Sequence, residues 1–250
     1  MSPTLRIGAA LSNGIDQLTT RGGLKLAAVL AALQVIAQVG INSLFADLLA
    51  DSLPAEAATN AYPLALPVPV AASALITAVA LIGTFLLSIV AMRAVYADID
   101  EVPNERHTRR LGWTAAVLIG VSVIVSVAIT VGFALLFFPG LFLAISLVFA
   151  QLAVVIEDAG VVEALERSWS LTSGNRIRLF VLGLLVVVVA GVVGGVFGLF
   201  GIVSPVVGNL VSAAASGVAS LFSIAVLVSA YRQLADANPV DSPQVSDLAD

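Results

Sequence analysis

The chain has 250 residues, of which 60% are apolar and 11% charged, and its mean hydropathy is +1.08. This excludes an ordinary soluble domain, in which about a quarter of the residues are charged. Cysteine is absent, which excludes disulfide and thiol chemistry, and the net charge of −5 leaves no basic footprint for nucleic acid.

A hydrocarbon core of about 30 Å takes about 20 helical residues to cross. No charged residue falls between Glu56 and Arg93, between Arg110 and Glu157, or between Arg178 and Arg232. The last two runs are each long enough for two crossings, and each holds a proline where a hairpin turns, at Pro139-Gly140 and Pro205. The predicted fold is an all-α membrane bundle of six helices in three hairpins, at about residues 24–49, 70–96, 113–138, 141–156, 179–203 and 206–234. Residues 1–236 read as one integral membrane domain and 237–250 as a disordered acidic tail.

In chain order, residues 1–23 lack the apolar core of a signal peptide and are expected to be retained. Ile7, Leu11, Ile15 and Leu18 recur there at helical spacing, which predicts a short interfacial helix. The first crossing helix carries Gln34, Gln38 and Asn42 in one stripe that must look into protein. Residues 51–69 hold Asp51, Glu56 and four prolines without a basic residue, and read as an external loop. Residues 98–112 mix Asp98, Asp100, Glu101 and Glu105 with Arg106, His107, Arg109 and Arg110, a solvated internal loop. The third helix carries Ser122, Ser126 and Thr130 at four-residue spacing.

A charged island then stands between two uncharged runs, at residues 157–178. As a helix it puts Val161, Val162, Leu165 and Trp169 on one side and Glu163, Glu166, Arg167 and Ser170 on the other. Asp158 is the expected N-cap and Gly174 the expected C-cap, with Glu163 one turn before Arg167 as an ion pair. Such a helix belongs in the membrane interface, with Trp169 at headgroup level. In the fifth crossing helix Gly191, Gly194, Gly195, Gly198 and Gly201 form one small-residue face, and in the sixth Asn209, Ser212, Ser216 and Ser220 form another. These two helices are expected to pack tightly on each other.

With six crossings, all eleven Lys and Arg residues fall on one side, which the positive-inside rule makes cytoplasmic along with both termini. Tyr96, Trp113, Trp169 and Tyr231 cluster at the same boundary. Residues 18–26 also match 171–179 in type, each stretch preceding a hairpin, as a parallel repeat would. One lysine against ten arginines in an acidic chain fits a salt-rich environment.

The run from Pro139-Gly140 through Glu157 to Ala164-Leu165-Glu166-Arg167-Ser168-Trp169-Ser170-Leu171-Thr172-Ser173-Gly174-Asn175 resembles a group of six-helix membrane proteins. That group includes the membrane domain attached to some bacterial glycerophosphodiester phosphodiesterases and many uncharacterised haloarchaeal membrane proteins. The resemblance implies a fold rather than an activity. This chain carries no phosphodiesterase domain, so that reaction does not carry over.

No HExxH, GxSxG or phosphate-binding glycine loop occurs, and the single histidine, His107, has no carboxylate cluster spaced for a metal. No cofactor is implied. Two functional readings follow from the location. The first is a non-enzymatic scaffold in the plasma membrane that meets anionic lipid headgroups or another membrane protein, with Glu157, Glu163, Arg167, Trp169, Asn175 and Arg176 as its contact surface. The alternative is a carrier or flippase-like protein for a neutral or amphiphilic solute, its path lined by Gln34, Gln38, Asn42, Ser122, Ser126, Asn209 and Ser216.

Overall fold

A computed structural model describes residues 4–50, 52, 54–97 and 110–236. The internal loop with His107, the residue Asp51 and the acidic tail lie outside the described residues. Among the described residues there is no strand. The helices are α1 (Ile7–Thr19), α2 (Arg21–Leu48), α3 (Ala55–Ala61), α4 (Val70–Tyr96), α5 (Leu111–Leu135), α6 (Phe137–Ser146), α7 (Ala150–Glu157), α8 (Val161–Thr172), α9 (Arg176–Gly198), α10 (Phe200–Val203) and α11 (Pro205–Ala235).

Six stretches are long and apolar enough to cross a membrane: Arg21–Leu48, Val70–Tyr96, Leu111–Leu135, Phe137–Glu157, Arg176–Val203 and Pro205–Ala235. The expected class, an all-α bundle with six such helices, is the observed one. Large apolar side chains stand outward along them, among them Leu75, Val79, Ile82, Val123, Val127 and Val187. Water would penalise that surface, whereas lipid tails solvate it as well as a protein core does.

The described chain gathers into two compact units. One holds the described residues of Gly14–Leu111 and Gly183–Ala225. Here α2 and α4 pair closely at Gly40, where a β-carbon would come within 2.6 Å of the Thr77 hydroxyl oxygen and 3.0 Å of its main-chain nitrogen. The chain of α11 seats on α2 at Gly217, where a β-carbon would lie 2.5 Å from Ala31 Cα. The start of α2 is capped by Thr20, whose hydroxyl accepts from the Gly23 N–H at 2.9 Å. Its far end holds the segment before α4: Asn42 Oδ1 accepts from the Leu64 N–H at 3.4 Å and Ser43 Oγ from the Leu66 N–H at 2.9 Å.

The glycine face of α9 departs from expectation. A β-carbon at Gly191, Gly194, Gly195 or Gly198 would meet nothing within 4 Å. A small-residue stripe permits close packing but does not compel it, because lipid tails cover such a face at no cost relative to a neighbouring helix. The close approach on the α11 side is made instead by Gly208, at the turn against Gly201, and by Gly217 on α2.

The second unit holds the described residues of Met1–Asn13, Gly112–Leu182 and Val226–Asp250. α5 turns into α6 through paired glycines: a β-carbon on Gly132 would lie 2.8 Å from Gly140 Cα. The span that the sequence predicts as one helix over 141–156 is broken, with α6 ending at Ser146 and α7 starting at Ala150. Just after α7 Asp158 takes a left-handed conformation with φ 52°, which aspartate tolerates better than most residues, and the chain turns into α8.

Candidate functional site

α8 closes the gap in the broken span. A helix interrupted within the membrane leaves main-chain groups that lipid cannot satisfy, so protein must. Ser168 Oγ donates to the Ser146 carbonyl at 2.9 Å and accepts from the Phe149 N–H at 3.1 Å. Thr172 Oγ1 adds a second, longer bond to the Ser146 carbonyl at 3.3 Å. Ser168 and Thr172 are one turn apart, so both reach the same break from one face of α8.

That requirement sets the facing of α8, which turns neither predicted side wholly inward: Glu163, Glu166 and Ser170 are exposed, and Arg167 alone of the predicted polar side is buried. Its buried residues are Ala164, Arg167, Ser168, Leu171 and Thr172. Val162, on the apolar side, is 66% exposed and Trp169 is 43% exposed. Outward apolar groups suit a helix in the membrane interface, and the hydroxyls that face the break gain from burial against unpaired main chain.

Next to this seat lies an ionic cluster. Arg167 Nε donates to both carboxylate oxygens of Glu157 at 3.2 Å, and the Tyr231 hydroxyl donates to Glu157 Oε1. Arg167 is only 8% exposed. Burial works to lower its pKa, but the Glu157 carboxylate and the Tyr231 side chain outweigh that, and the guanidinium is held above the ordinary arginine range. The Tyr231 ring also meets the Phe149 ring edge-on at 5.5 Å between centroids, which locks the cluster to the broken span.

The expected partners are thus corrected. Glu157 pairs with Arg167 and Tyr231. Glu163 does not reach Arg167, because its carboxylate accepts from the Gly160 N–H at 3.2 Å at the start of α8. Gly160, not Asp158, is the N-cap of that helix.

The amino-terminal segment is fastened to the same unit. Asn175 Oδ1 accepts from the Leu5 N–H at 3.1 Å, Gln233 Oε1 accepts from the Arg6 N–H at 2.9 Å, and Asn13 Nδ2 donates to Ser229 Oγ at 3.1 Å. Arg176, at the start of α9, lies 4.4 Å over the Phe142 ring and 4.9 Å over the Trp169 ring, and those rings stand edge to face at 5.5 Å. Its Nε is buried without an acceptor among the described residues, as is one terminal nitrogen of Arg167.

A family described as a domain of unknown function, DUF7847, matches residues 5–234. The chain belongs to the DUF7847 family. Neither curated proteins nor solved structures give a match.

In this DUF7847 chain the residues expected to form a contact surface, Glu157, Glu163, Arg167, Trp169, Asn175 and Arg176, all fall in one unit, on or beside α8. The polar stripe is divided. Ser122 and Ser126 belong to that unit, where Ser122 Oγ accepts from Gln151 at 3.3 Å and Ser126 is exposed. Gln34, Gln38, Asn42, Asn209 and Ser216 belong to the other. Three of its members spend a polar group on the turn before them: Asn42 Nδ2 donates to the Gln38 carbonyl, Asn209 Nδ2 to the Pro205 carbonyl and Ser216 Oγ to the Ser212 carbonyl. Sequence reasoning missed Ser168, Thr172, Phe142, Phe149 and Tyr231 as parts of the site. The spacing of Ser168 and Thr172 beside Arg167 is the signal that marks them.

Proposed function

We propose that the chain is a non-enzymatic integral membrane protein that works by contact, through the outward side of α8 and the start of α9. The observation that carries this reading is the seat of α8. Ser168, Thr172 and Arg167 are committed inward, so Val162, Trp169 and Ile177 stand outward on a rigid base, with Arg176 and Arg178 beside them. Rigid presentation of apolar and cationic groups suits a lipid headgroup region or the flank of another membrane protein. On this reading the membrane is the plasma membrane, α8 lies on its cytoplasmic side with both termini, and an acidic, lysine-poor surface accords with a haloarchaeal source. Kinship with the membrane domain attached to glycerophosphodiester phosphodiesterases belongs to the same reading and rests on the motif from Pro139 to Asn175.

The test is crosslinking in native membranes followed by purification of the full chain. Replacing Val162, Trp169 and Ile177 together by alanine is expected to remove co-purifying membrane components while the six-helix protein still accumulates. An unchanged set of components ends the proposal. Tags on the two ends are expected to report the same, cytoplasmic compartment.

The carrier reading keeps one observation in its favour, the interruption of the span at residues 147–149, since broken helices often mark solute sites. A flux difference between liposomes holding the native chain and the Gln34→Leu, Gln38→Leu, Asn42→Leu variant would support it.

A further inference from the structure

We propose that Arg176 is a phospholipid site, its guanidinium taking the phosphate of a lipid in the surrounding leaflet while Phe142 and Trp169 hold it in place. This rests on the contact reading above and names the chemistry of one part of that surface.

The contrast with Arg167 carries the argument. Arg167 spends its Nε on a carboxylate inside the fold. Arg176 makes no such bond, and neither it nor Arg178 has a carboxylate partner among the described residues. The Arg176 guanidinium lies over two aromatic rings and its Nε is buried, so the group is fixed while its terminal donors make no bond to the described residues. A fixed fork of N–H donors matches the oxygens of a phosphate, and pre-organisation by stacking reduces the entropy lost when one binds.

The surroundings select a lipid as the bearer of that phosphate. Ile177, next in the chain, is 80% exposed, and Phe142 and Trp169 are both exposed as well. An acyl chain covers such surface and a free anion does not. Arg178 adds a second exposed cation two residues on, and the start of the 23-residue helix α9 adds its positive end.

The chain has two tryptophans, so Trp113→Phe leaves Trp169 as the sole reporter beside the site. The full chain, purified in detergent, is titrated with dihexanoyl phosphatidylglycerol while Trp169 emission is followed. A saturable change is expected, weakened about tenfold or more by Arg176→Gln, the loss expected for a charge-assisted hydrogen bond. Phe142→Leu is expected to weaken it less, and Arg21→Gln, a change at an exposed cation elsewhere, to leave it alone. Equal affinity in Arg176→Gln overturns the proposal. Equal binding of dihexanoylglycerol, which has the tails without the phosphate, overturns it too, and so does equally tight saturation by inorganic phosphate. A chain that still co-purifies a membrane protein through Val162 and Trp169 but shows none of this binding loses the lipid site and keeps the contact reading.

Discussion

The Tyr231 hydroxyl donates a hydrogen bond to the Glu157 carboxylate across 74 residues of chain, tying the last helix to the end of α7 where Arg167 also meets it. The Glu157 side chain is 23% exposed while Arg167 is nearly enclosed, so the two partners of this carboxylate differ in what their loss leaves behind. Tyr231→Phe leaves the ion pair standing and is expected to cost about 1 kcal/mol. Arg167→Met strands a carboxylate in a half-buried site and is expected to cost about 3 kcal/mol. Thermal unfolding of the purified chain in detergent measures both, and an Arg167→Met loss no larger than that of Tyr231→Phe would contradict the arrangement.

Stability should be insensitive to this pair across the neutral pH range. The Arg167 pKa is raised in the folded chain above the ordinary arginine value, so the folded state holds this proton more tightly than the unfolded state does. The contribution is therefore fully present below the ordinary arginine range and is lost only as pH climbs through the higher folded value. The difference in melting temperature between the native chain and Arg167→Met is expected to stay constant over neutral pH. A difference that collapses there would place the titration in another group.

Ser168 serves two main-chain groups at the break and Thr172 serves one of the same two. Ser168→Ala leaves the buried Phe149 N–H without a partner and is expected to cost about 2 kcal/mol. Thr172→Val leaves the Ser146 carbonyl still bonded to Ser168 and should cost less. Because both side chains share that carbonyl, the double variant should depart from the sum of the singles, which a double-mutant cycle on unfolding reads directly.

The glycines divide into crowded and open ones. Gly217→Ala would drive a β-carbon to 2.5 Å from Ala31 Cα and Gly40→Ala one to 2.6 Å from Thr77 Oγ1. Backbone must shift in the first case, and a loss of about 1–3 kcal/mol is expected. Gly194→Ala meets nothing within 4 Å, so helix propensity alone acts and the change is neutral or slightly stabilising. Equal destabilisation at Gly194 and Gly217 would reveal a neighbour against α9.

The bundle was readable because crossing helices announce themselves by absence of charge: the empty run from Arg110 to Glu157 needs no partner to be interpreted. The break inside it could not be read in the same way. Leu147, Val148 and Phe149 are neither glycine nor proline, and the interruption is completed by hydroxyls some 19 to 26 residues further on. The inward contacts of α8 were hidden for a related reason. Periodicity locates two sides of a helix, but Ser168, Thr172 and Arg167 turn inward because of partners outside α8, which spacing within the helix does not show. The partner of Glu157 was hidden because Arg93, Arg167 and Arg176 are equally good cations on paper. Only the fold brings one of them, with a distant tyrosine, to the carboxylate.

The interrupted span also constrains how the chain is made. As synthesis proceeds from the amino end, Ser146 and Phe149 emerge before the hydroxyls that saturate their main chain, so the break is fully paired only once Thr172 has followed it out of the ribosome.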